Sequence, residues 1–151
     1  MNPDTPIRYF APDQAGFEFC NFSPHGFMLD GTFWKTVEHY FQAQKFPGHP
    51  HQETIRRAVT PQAAKSLGQT RQYPLRHDWE QIKEEVMQRA LRAKFSDPDL
   101  AALLLATGDR ELVEDAEDDP YWARGRDGTG LNRAGELLMQ VRTELRLRHG
   151  P

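Results

Sequence analysis

Four segments begin with a side chain that caps helices, and this recurrence constrains the fold more than any other feature of the sequence. The capping residues are Thr36, Thr60, Asp78 and Asp97. A proline directly follows two of them, and a glutamine lies three residues after a third, as in a capping box. Apolar residues then recur at three- and four-residue spacing, so the sequence predicts a mostly helical protein.

The N-terminal third of the chain carries a β pattern instead. Asp30-Gly31 is a strong hairpin-turn signal with apolar residues on both sides. Two apolar or aromatic stretches precede it, at residues 7–10 and 17–22. We therefore predict a small antiparallel β element ahead of the helices.

Length and composition favour one globular domain. The 151 residues suit a single domain over residues 1–151, in which we expect residues 1–6 to be flexible. Nine Phe, four Tyr and three Trp argue against a disordered chain. Together with the helix signals, these features predict a mostly α fold, a compact single-domain helical bundle with a small antiparallel β element.

Charge, cysteine content and hydropathy exclude several classes of protein. The net charge of −3 gives no general attraction to nucleic-acid phosphate. The single Cys20 excludes an intramolecular disulfide, which favours a reducing compartment. No apolar run approaches the roughly 20 residues of a membrane span, and the first residues lack the layout of a signal peptide. We expect a cytoplasmic protein with no membrane partner.

The helix that follows Thr36 holds the densest group of chemically useful side chains. Glu38, Gln42 and Lys45 are spaced by four and then three residues, so they lie along one helix face. Helical side chains lean toward the N-terminus, which directs Lys45 back toward Glu38. A small ligand could occupy the space between them. The alternative, favoured by spacing alone, is a solvated polar stripe on an amphipathic helix.

An acidic run at residues 114–119 forms a second candidate site, because it ends in Tyr121-Trp122 within a long irregular segment. A carboxylate beside an aromatic wall can act as a general acid. The alternative is a solvated acidic loop.

A glycine-rich segment at residues 125–133 forms the third candidate, directly before the last helix. Its backbone NH groups and nearby arginines, Arg124, Arg126 and Arg133, could hold an anion. By spacing, Asn132 is better explained as the N-cap of the helix.

Many short pieces of the sequence resemble the YbiA/NADAR family, most of all its stand-alone bacterial YbiA type. The resemblance extends from Asn21 to Arg146. It consists of Asn21-Phe22-Ser23, Trp34, Glu38 to Phe46, Trp79, Val86-Met87, Arg92 to Phe95, Leu103 to Thr107, Leu112 to Glu114, Asp119, Tyr121-Trp122, Gly130 to Arg133 and Leu138-Met139.

The resemblance implies a mostly helical enzyme that hydrolyses N-glycosidic bonds, with no cofactor and no metal. It implies a small phosphorylated N-riboside substrate, a ribosylamino-pyrimidine intermediate of riboflavin biosynthesis. A first alternative is the removal of ADP-ribose from guanine bases, free or in nucleic acid. A second alternative is a non-catalytic module that binds ADP-ribose or a related nucleotide. The net acidic charge argues mildly against a large nucleic-acid footprint.

The resemblance also implies site residues, carried over by position. The implied catalytic residues are Glu38, Asp119 and Lys45, and the implied substrate-binding residues are Asn21, Trp34, Trp79, Trp122, Asn132 and Arg133. We expect Glu38, Lys45, Trp79, Asp119 and Trp122 to converge on one pocket. The family usually has a glycine where this chain has Ala123, so we expect a reshaped loop there.

The residue types suit the cleavage of a ribosyl C–N bond. One carboxylate can stabilise the charge that develops at C1′ or activate water, and a second, protonated carboxyl can assist the leaving nitrogen. The sequence leaves the assignment of acid and base between Glu38 and Asp119 open. It also leaves open whether Lys45 holds phosphate or attacks an opened ribose as a Schiff-base nucleophile.

Overall fold

The structure is a computed structural model that describes residues 4–10 and 15–149. The expectation of a flexible segment at residues 1–6 therefore falls partly outside the described residues, at positions 1–3.

Six helices and four short strands make up the regular structure of the described residues. In chain order, the strands are β1 (Ile7–Tyr9), β2 (Phe27–Leu29), β3 (Thr32–Trp34) and β4 (Leu112–Glu114). The helices are α1 (Val37–Ala43), α2 (Pro50–Arg56), α3 (Pro61–Gly68), α4 (Trp79–Lys94), α5 (Pro98–Ala106) and α6 (Arg133–His149). A single 3-10 turn lies at Phe17–Phe19. The prediction of a mostly helical fold with small β elements is confirmed.

The chain divides into two compact units. The first, which we call the central unit, is the continuous segment 21–94; the second, the terminal unit, combines residues 1–20 with residues 95–151. The extent of a single domain over residues 1–151 stays a prediction.

The central unit begins with the predicted hairpin. β2 and β3 pair antiparallel, with Phe27 opposite Trp34, and the turn residues Asp30 and Gly31 both have positive φ angles, 55° and 75°. Two consecutive residues with positive φ form the tight turn that matches the twist of a two-stranded ribbon. The predicted hairpin is confirmed, and it leads directly into α1.

Capping side chains start three helices where the sequence predicts, whereas the carboxylate of Asp78, before α4, accepts hydrogen bonds from Arg76. Thr36 accepts a hydrogen bond from the His39 N–H at the start of α1, and Thr60 accepts one from the Ala63 N–H at the start of α3. In the terminal unit, Asp97 accepts from the N–H groups of the first turn of α5. These caps satisfy backbone donors that a helix leaves unpaired at its N-terminus.

The terminal unit differs from the predicted N-terminal β element. β1 pairs in parallel with β4, with Ile7 opposite Leu112, so the first strand lies beside a segment more than 100 residues away rather than beside the hairpin. The aromatic stretch after Gly16 forms a 3-10 turn instead of a strand, and Phe19 packs edge-on against Tyr9 at 6.1 Å between ring centroids. The expectation of β structure at residues 17–22 is therefore wrong.

None of the described helices combines the length and the apolar character needed to cross a bilayer.

Candidate active site

Every side chain of α1 is buried, including its polar ones. Glu38 is 6% exposed, Gln42 is 4% exposed and His39 is fully buried. The imidazole of His39 is held by Thr36 Oγ1 at 2.8 Å and by the Ala58 carbonyl at 3.0 Å, and burial lowers its pKa. The alternative of a solvated polar stripe is therefore wrong, because no face of this helix is turned to solvent.

Glu38 and Gln42 form a hydrogen-bonded pair inside the central unit. Gln42 Nε2 donates to Glu38 Oε1 at 2.7 Å. The Glu38 N–H donates to the carbonyl of Asn21 at 3.2 Å, so the predicted residue Asn21, itself buried, contacts the first turn of α1. A buried carboxylate is costly unless polar groups surround it, and here the helix supplies one of them.

Lys45 lies one turn beyond Gln42, between two aromatic rings. Its Nζ is 6.0 Å from the ring centroid of Phe41 and 5.7 Å from that of Trp79, and it donates to the Gly68 carbonyl at 3.3 Å. Burial lowers the pKa of Lys45, while the negative charge of Glu38 acts in the opposite direction. Burial therefore makes the neutral amine form of Lys45 easier to reach than that of an exposed lysine.

A cleft of about 650 Å³ opens beside Lys45 within the central unit. Its lining includes the side chains of Lys45 and Trp79, the backbone of Gly68 and the exposed Arg71. Such a volume lies within the range of small-molecule sites, roughly 300–1,000 Å³. Trp79 is 5% exposed and packs on Phe41 at 5.0 Å between ring centroids, so it forms both a wall of the cleft and part of the core.

Trp34 belongs to the core of the central unit. It is 5% exposed, packs edge-on against Tyr40 at 5.2 Å and donates its indole N–H to the Leu29 carbonyl. This environment explains the residue as a structural anchor of the hairpin. Its substrate-binding role stays a prediction.

Asp119 and Trp122 lie in the terminal unit. Asp119 Oδ1 accepts hydrogen bonds from the N–H groups of Tyr121 and Trp122, at 3.1 and 2.9 Å, so this carboxylate oxygen caps the turn that follows it. The Trp122 ring packs edge-on against Tyr121. The predicted convergence of these two residues with Glu38, Lys45 and Trp79 stays a prediction.

Asn132 is fully buried, and its side chain bonds to β4 rather than to the start of α6. Oδ1 accepts from the Glu114 N–H and Nδ2 donates to the Leu112 carbonyl, both at 2.9 Å. Its φ angle is 53°, a left-handed conformation that asparagine tolerates better than most residues. Asn132 does occupy the predicted position directly before α6, where its carbonyl accepts from the Glu136 N–H at 2.9 Å, while its side chain fastens the loop to the strand.

The glycine-rich segment is fastened by its own side chains. Arg124 forms an ion pair with Glu111 and donates to the Gly130 carbonyl at 3.0 Å. Ala123, the departure from the family pattern, is fully buried, and its carbonyl accepts from the Asn132 N–H. Arg133 begins α6 and donates its N–H to the Tyr121 carbonyl. Arg124 is therefore engaged within the loop, and its predicted phosphate contact stays a prediction.

Two residues beside Lys45 were not predicted as site residues. Gln42 is recognised in the sequence only as a member of the polar face, and Gly68 only as the end of α3. The close approach of Gly68 to Gln42 depends on how α3 packs on α1, and no local sequence signal reports it. Within residues 4–10 and 15–149, no three His, Cys, Asp or Glu side chains are grouped to hold a metal ion.

The comparisons with known proteins agree with this architecture. The family model of the NADAR domain matches residues 9–146. The N-glycosidase YbiA of Escherichia coli strain K12 is 47% identical over 94% of this chain and 89% of its own length. A riboflavin biosynthesis protein of Vibrio vulnificus is 42% identical over 98% of this chain but only 40% of its own length. The NMR structure of the E. coli protein YbiA is similar with a TM-score of 0.90 at 45% identity, over 99% of this chain and 89% of that one.

Proposed function

The chain belongs to the NADAR domain family, and from that premise we propose that it hydrolyses the N-ribosyl bond of phosphorylated ribosylamino-pyrimidine intermediates of riboflavin biosynthesis. The coarser part, an N-glycosidase, is supported by the name of the E. coli relative, which matches nearly the whole chain. The substrate is supported by the name of the Vibrio relative, of which this chain corresponds to less than half.

The observation that carries the proposal is the buried Glu38 in α1, together with Lys45, which follows the end of that helix and lines a cleft of about 650 Å³. A carboxylate held out of water interacts more strongly with positive charge than an exposed one does. Cleavage of a ribosyl C–N bond develops positive charge at C1′ and at the ring oxygen. Glu38 is therefore suited either to stabilise that charge or to take a proton from the attacking water.

The complete reaction adds one water across the C–N bond. The water oxygen bonds to C1′, the bond to nitrogen breaks with its electron pair on nitrogen, and that nitrogen receives a proton. We assign to Asp119 the second carboxyl of this reaction, as the sequence resemblance implies. The division of acid and base roles between Glu38 and Asp119 is left to the kinetics.

Phosphate recognition is proposed for the positively charged side chains of the cleft. Lys45 and Arg71 both line it, and guanidinium and ammonium groups are the usual protein partners of phosphate. Trp79 supplies a flat apolar wall on which a pyrimidine ring can pack. A small phosphorylated riboside combines both features in one molecule.

The experiment that tests the proposal is turnover of a substrate panel, followed by mass spectrometry of released base and ribose phosphate. The panel contains the ribosylamino-pyrimidine phosphates, their dephosphorylated forms and ADP-ribosylated guanosine. We expect hydrolysis of the phosphorylated pyrimidines by the wild type and strongly reduced hydrolysis by Glu38→Gln. Preferential release of ADP-ribose from guanosine would show that ADP-ribosylated guanine is the substrate instead. Binding without release of a product from any compound would contradict the proposal that the protein is an enzyme.

A further inference from the structure

We propose that Gln42 is a positioning residue that holds the Glu38 carboxylate in its working orientation, and that Gly68 makes this placement possible. The inference rests on the proposed function, in the form in which ionised Glu38 stabilises the developing positive charge or takes a proton from water. It concerns two residues that the sequence does not single out for the reaction.

The orientation of the Gln42 amide follows from the chemistry of its neighbour. An ionised carboxylate only accepts hydrogen bonds, so the amide must present its NH₂ group to Glu38. The 2.7 Å distance from Nε2 to Glu38 Oε1 is that of a strong, charge-assisted hydrogen bond. The amide oxygen then necessarily points away from Glu38.

The amide oxygen has no partner that would explain Gln42 as a purely structural link. Gln42 Oε1 is buried and accepts no hydrogen bond from any residue within 4–10 and 15–149. Buried polar atoms are nearly always satisfied, so an orphaned one indicates that another requirement fixes the side chain. Here the bond to Glu38 is that requirement.

Gly68 connects the pair to Lys45. A Cβ atom on Gly68 would overlap the side-chain amide of Gln42, so only glycine leaves this amide its place. The carbonyl of the same residue accepts the hydrogen bond from Lys45 Nζ. The end of α3 therefore contacts both the side chain that orients Glu38 and the lysine on the cleft.

The surrounding charges do not depend on residues 42 and 68. Lys45, just beyond the end of α1, experiences the charges of Glu38, of Lys65 on α3 and of Glu80 on α4. On α2, His51 lies against the Leu67 carbonyl at 2.8 Å, and β3 carries no ionisable side chain. Gln42→Leu and Gly68→Ala add or remove no charge, so we attribute a change in the titration of Glu38 in these two variants to the hydrogen bond from the amide.

The test is the pH–rate profile of three variants. Gln42→Leu keeps the size of the side chain and removes the donor, which disfavours ionised Glu38 and should move the acid limb of kcat upward by about one pH unit. Gln42→Glu places a second carboxylate there and should move it further. Gly68→Ala should displace the amide and move the limb in the same direction, with kcat falling more than KM rises.

Gln52→Leu is the matched control. Gln52 Nε2 donates to the Ala43 carbonyl at 3.0 Å, so this variant also loses one glutamine hydrogen bond to α1, but not one to a carboxylate. We expect a lower melting temperature and an unchanged pH profile. If Gln42→Leu behaves like Gln52→Leu, the positioning role is rejected and Gln42 is structural.

A readout without turnover separates this inference from the proposed function. The carboxyl carbon of Glu38, assigned by its loss in Glu38→Gln, can be titrated by ¹³C NMR in the wild type and in Gly68→Ala. An upward shift of its midpoint in the variant supports the positioning role even if no substrate of the panel is hydrolysed. Equal midpoints would overturn the role even if the wild type is an active N-glycosidase, and Gly68→Ala serves this purpose if Gln42→Leu fails to fold.

Discussion

On α1 the polar side chains of Glu38 and Gln42 bond to each other, whereas in the segment 115–133 the side chains of Asp119 and Asn132 bond to main-chain groups. Asp119 caps a turn, and Asn132 fastens the loop to β4. A side chain that satisfies main-chain groups is explained by its contribution to stability. Burying the Glu38 carboxylate costs stability unless polar partners offset the loss of water, so its place on α1 favours the chemical role that we propose. We therefore propose that the Glu38–Gln42 pair on α1 serves chemistry, whereas Asp119 and Asn132 first fix the shape of their loop.

The sharpest test of this contrast is Glu38→Gln, which keeps the shape of the side chain and removes its charge. We expect turnover to fall by about a hundredfold or more, the scale of a positioned acid–base group, while the melting temperature stays close to that of the wild type. Steady-state kinetics with circular dichroism would check both. Unchanged turnover in a folded variant would mean that Glu38 has a structural role only.

Asn132→Ala tests the other side of the contrast. It removes two buried hydrogen bonds and should lower the free energy of unfolding by about 2 kcal/mol. Asn132→Gly loses the same bonds but accepts the positive φ angle, so it should be less destabilised by about 1 kcal/mol. Denaturant unfolding measures both. A variant that keeps its stability but loses turnover would make Asn132 a site residue, as the sequence predicts.

The two possible roles of Lys45 predict opposite effects of alkaline pH on activity and binding. If a neutral Lys45 attacks an opened ribose, kcat should rise by about tenfold per pH unit until the pH passes its pKa, which burial lowers. If the ammonium holds phosphate, affinity should instead fall through the same pH range. Lys45→Arg should keep much of the binding in the second case and be nearly as inactive as Lys45→Ala in the first.

Borohydride added during turnover gives an independent answer for Lys45, because reduction fixes a ribosyl adduct on the lysine only in the covalent case. If Lys45→Ala alters neither binding nor turnover, both roles are wrong.

The smallest effect is expected for Arg124→Ala in the glycine-rich segment. Its ion pair with Glu111 is partly exposed, so the loss of stability should be below about 1 kcal/mol. KM for phosphorylated substrates should not change, because this guanidinium is engaged within the loop. A clear rise in KM that depends on the substrate phosphate would restore the phosphate role that the sequence predicts and weaken the contrast between the two regions.

The sequence predicts those parts of the fold that short-range signals determine. Thr60 and the proline after it mark the first turn of α3, and Asp30-Gly31 marks the hairpin, because capping and turn chemistry act within a few residues. The partner of β1 is not predictable in this way, because the residues of a strand do not indicate which distant strand it pairs with. The same limit applies to Phe17–Phe19. Its aromatic residues favour a strand by local propensity, but the segment forms a 3-10 turn in which Phe19 packs on Tyr9.

For the site, the sequence and its resemblance single out Glu38, Lys45 and Trp79, and the structure gathers the last two at one cleft. Periodicity does not predict the burial of the polar side chains of α1. A helix that is buried on all sides has no exposed polar face, so its polar residues cannot be assigned to solvent from their spacing. The tight packing of Gly68 on Gln42 is equally unpredicted, because in the sequence a glycine near the end of a helix is interpreted as a helix stop.

The parallel pairing of β1 with β4 has a consequence for the order of folding. Residues 7–9 can find their partner only after the strand at 112–114 has been synthesised, so the terminal unit must close a loop of about 100 residues, whereas the central unit is built from consecutive segments. Closing so long a loop costs chain entropy before the contacts between the two strands can stabilise it. Folding rates therefore fall as contacts become less local. During synthesis, the segment that carries Glu38 and Lys45 is therefore expected to gain structure first, and β1 is expected to wait for β4.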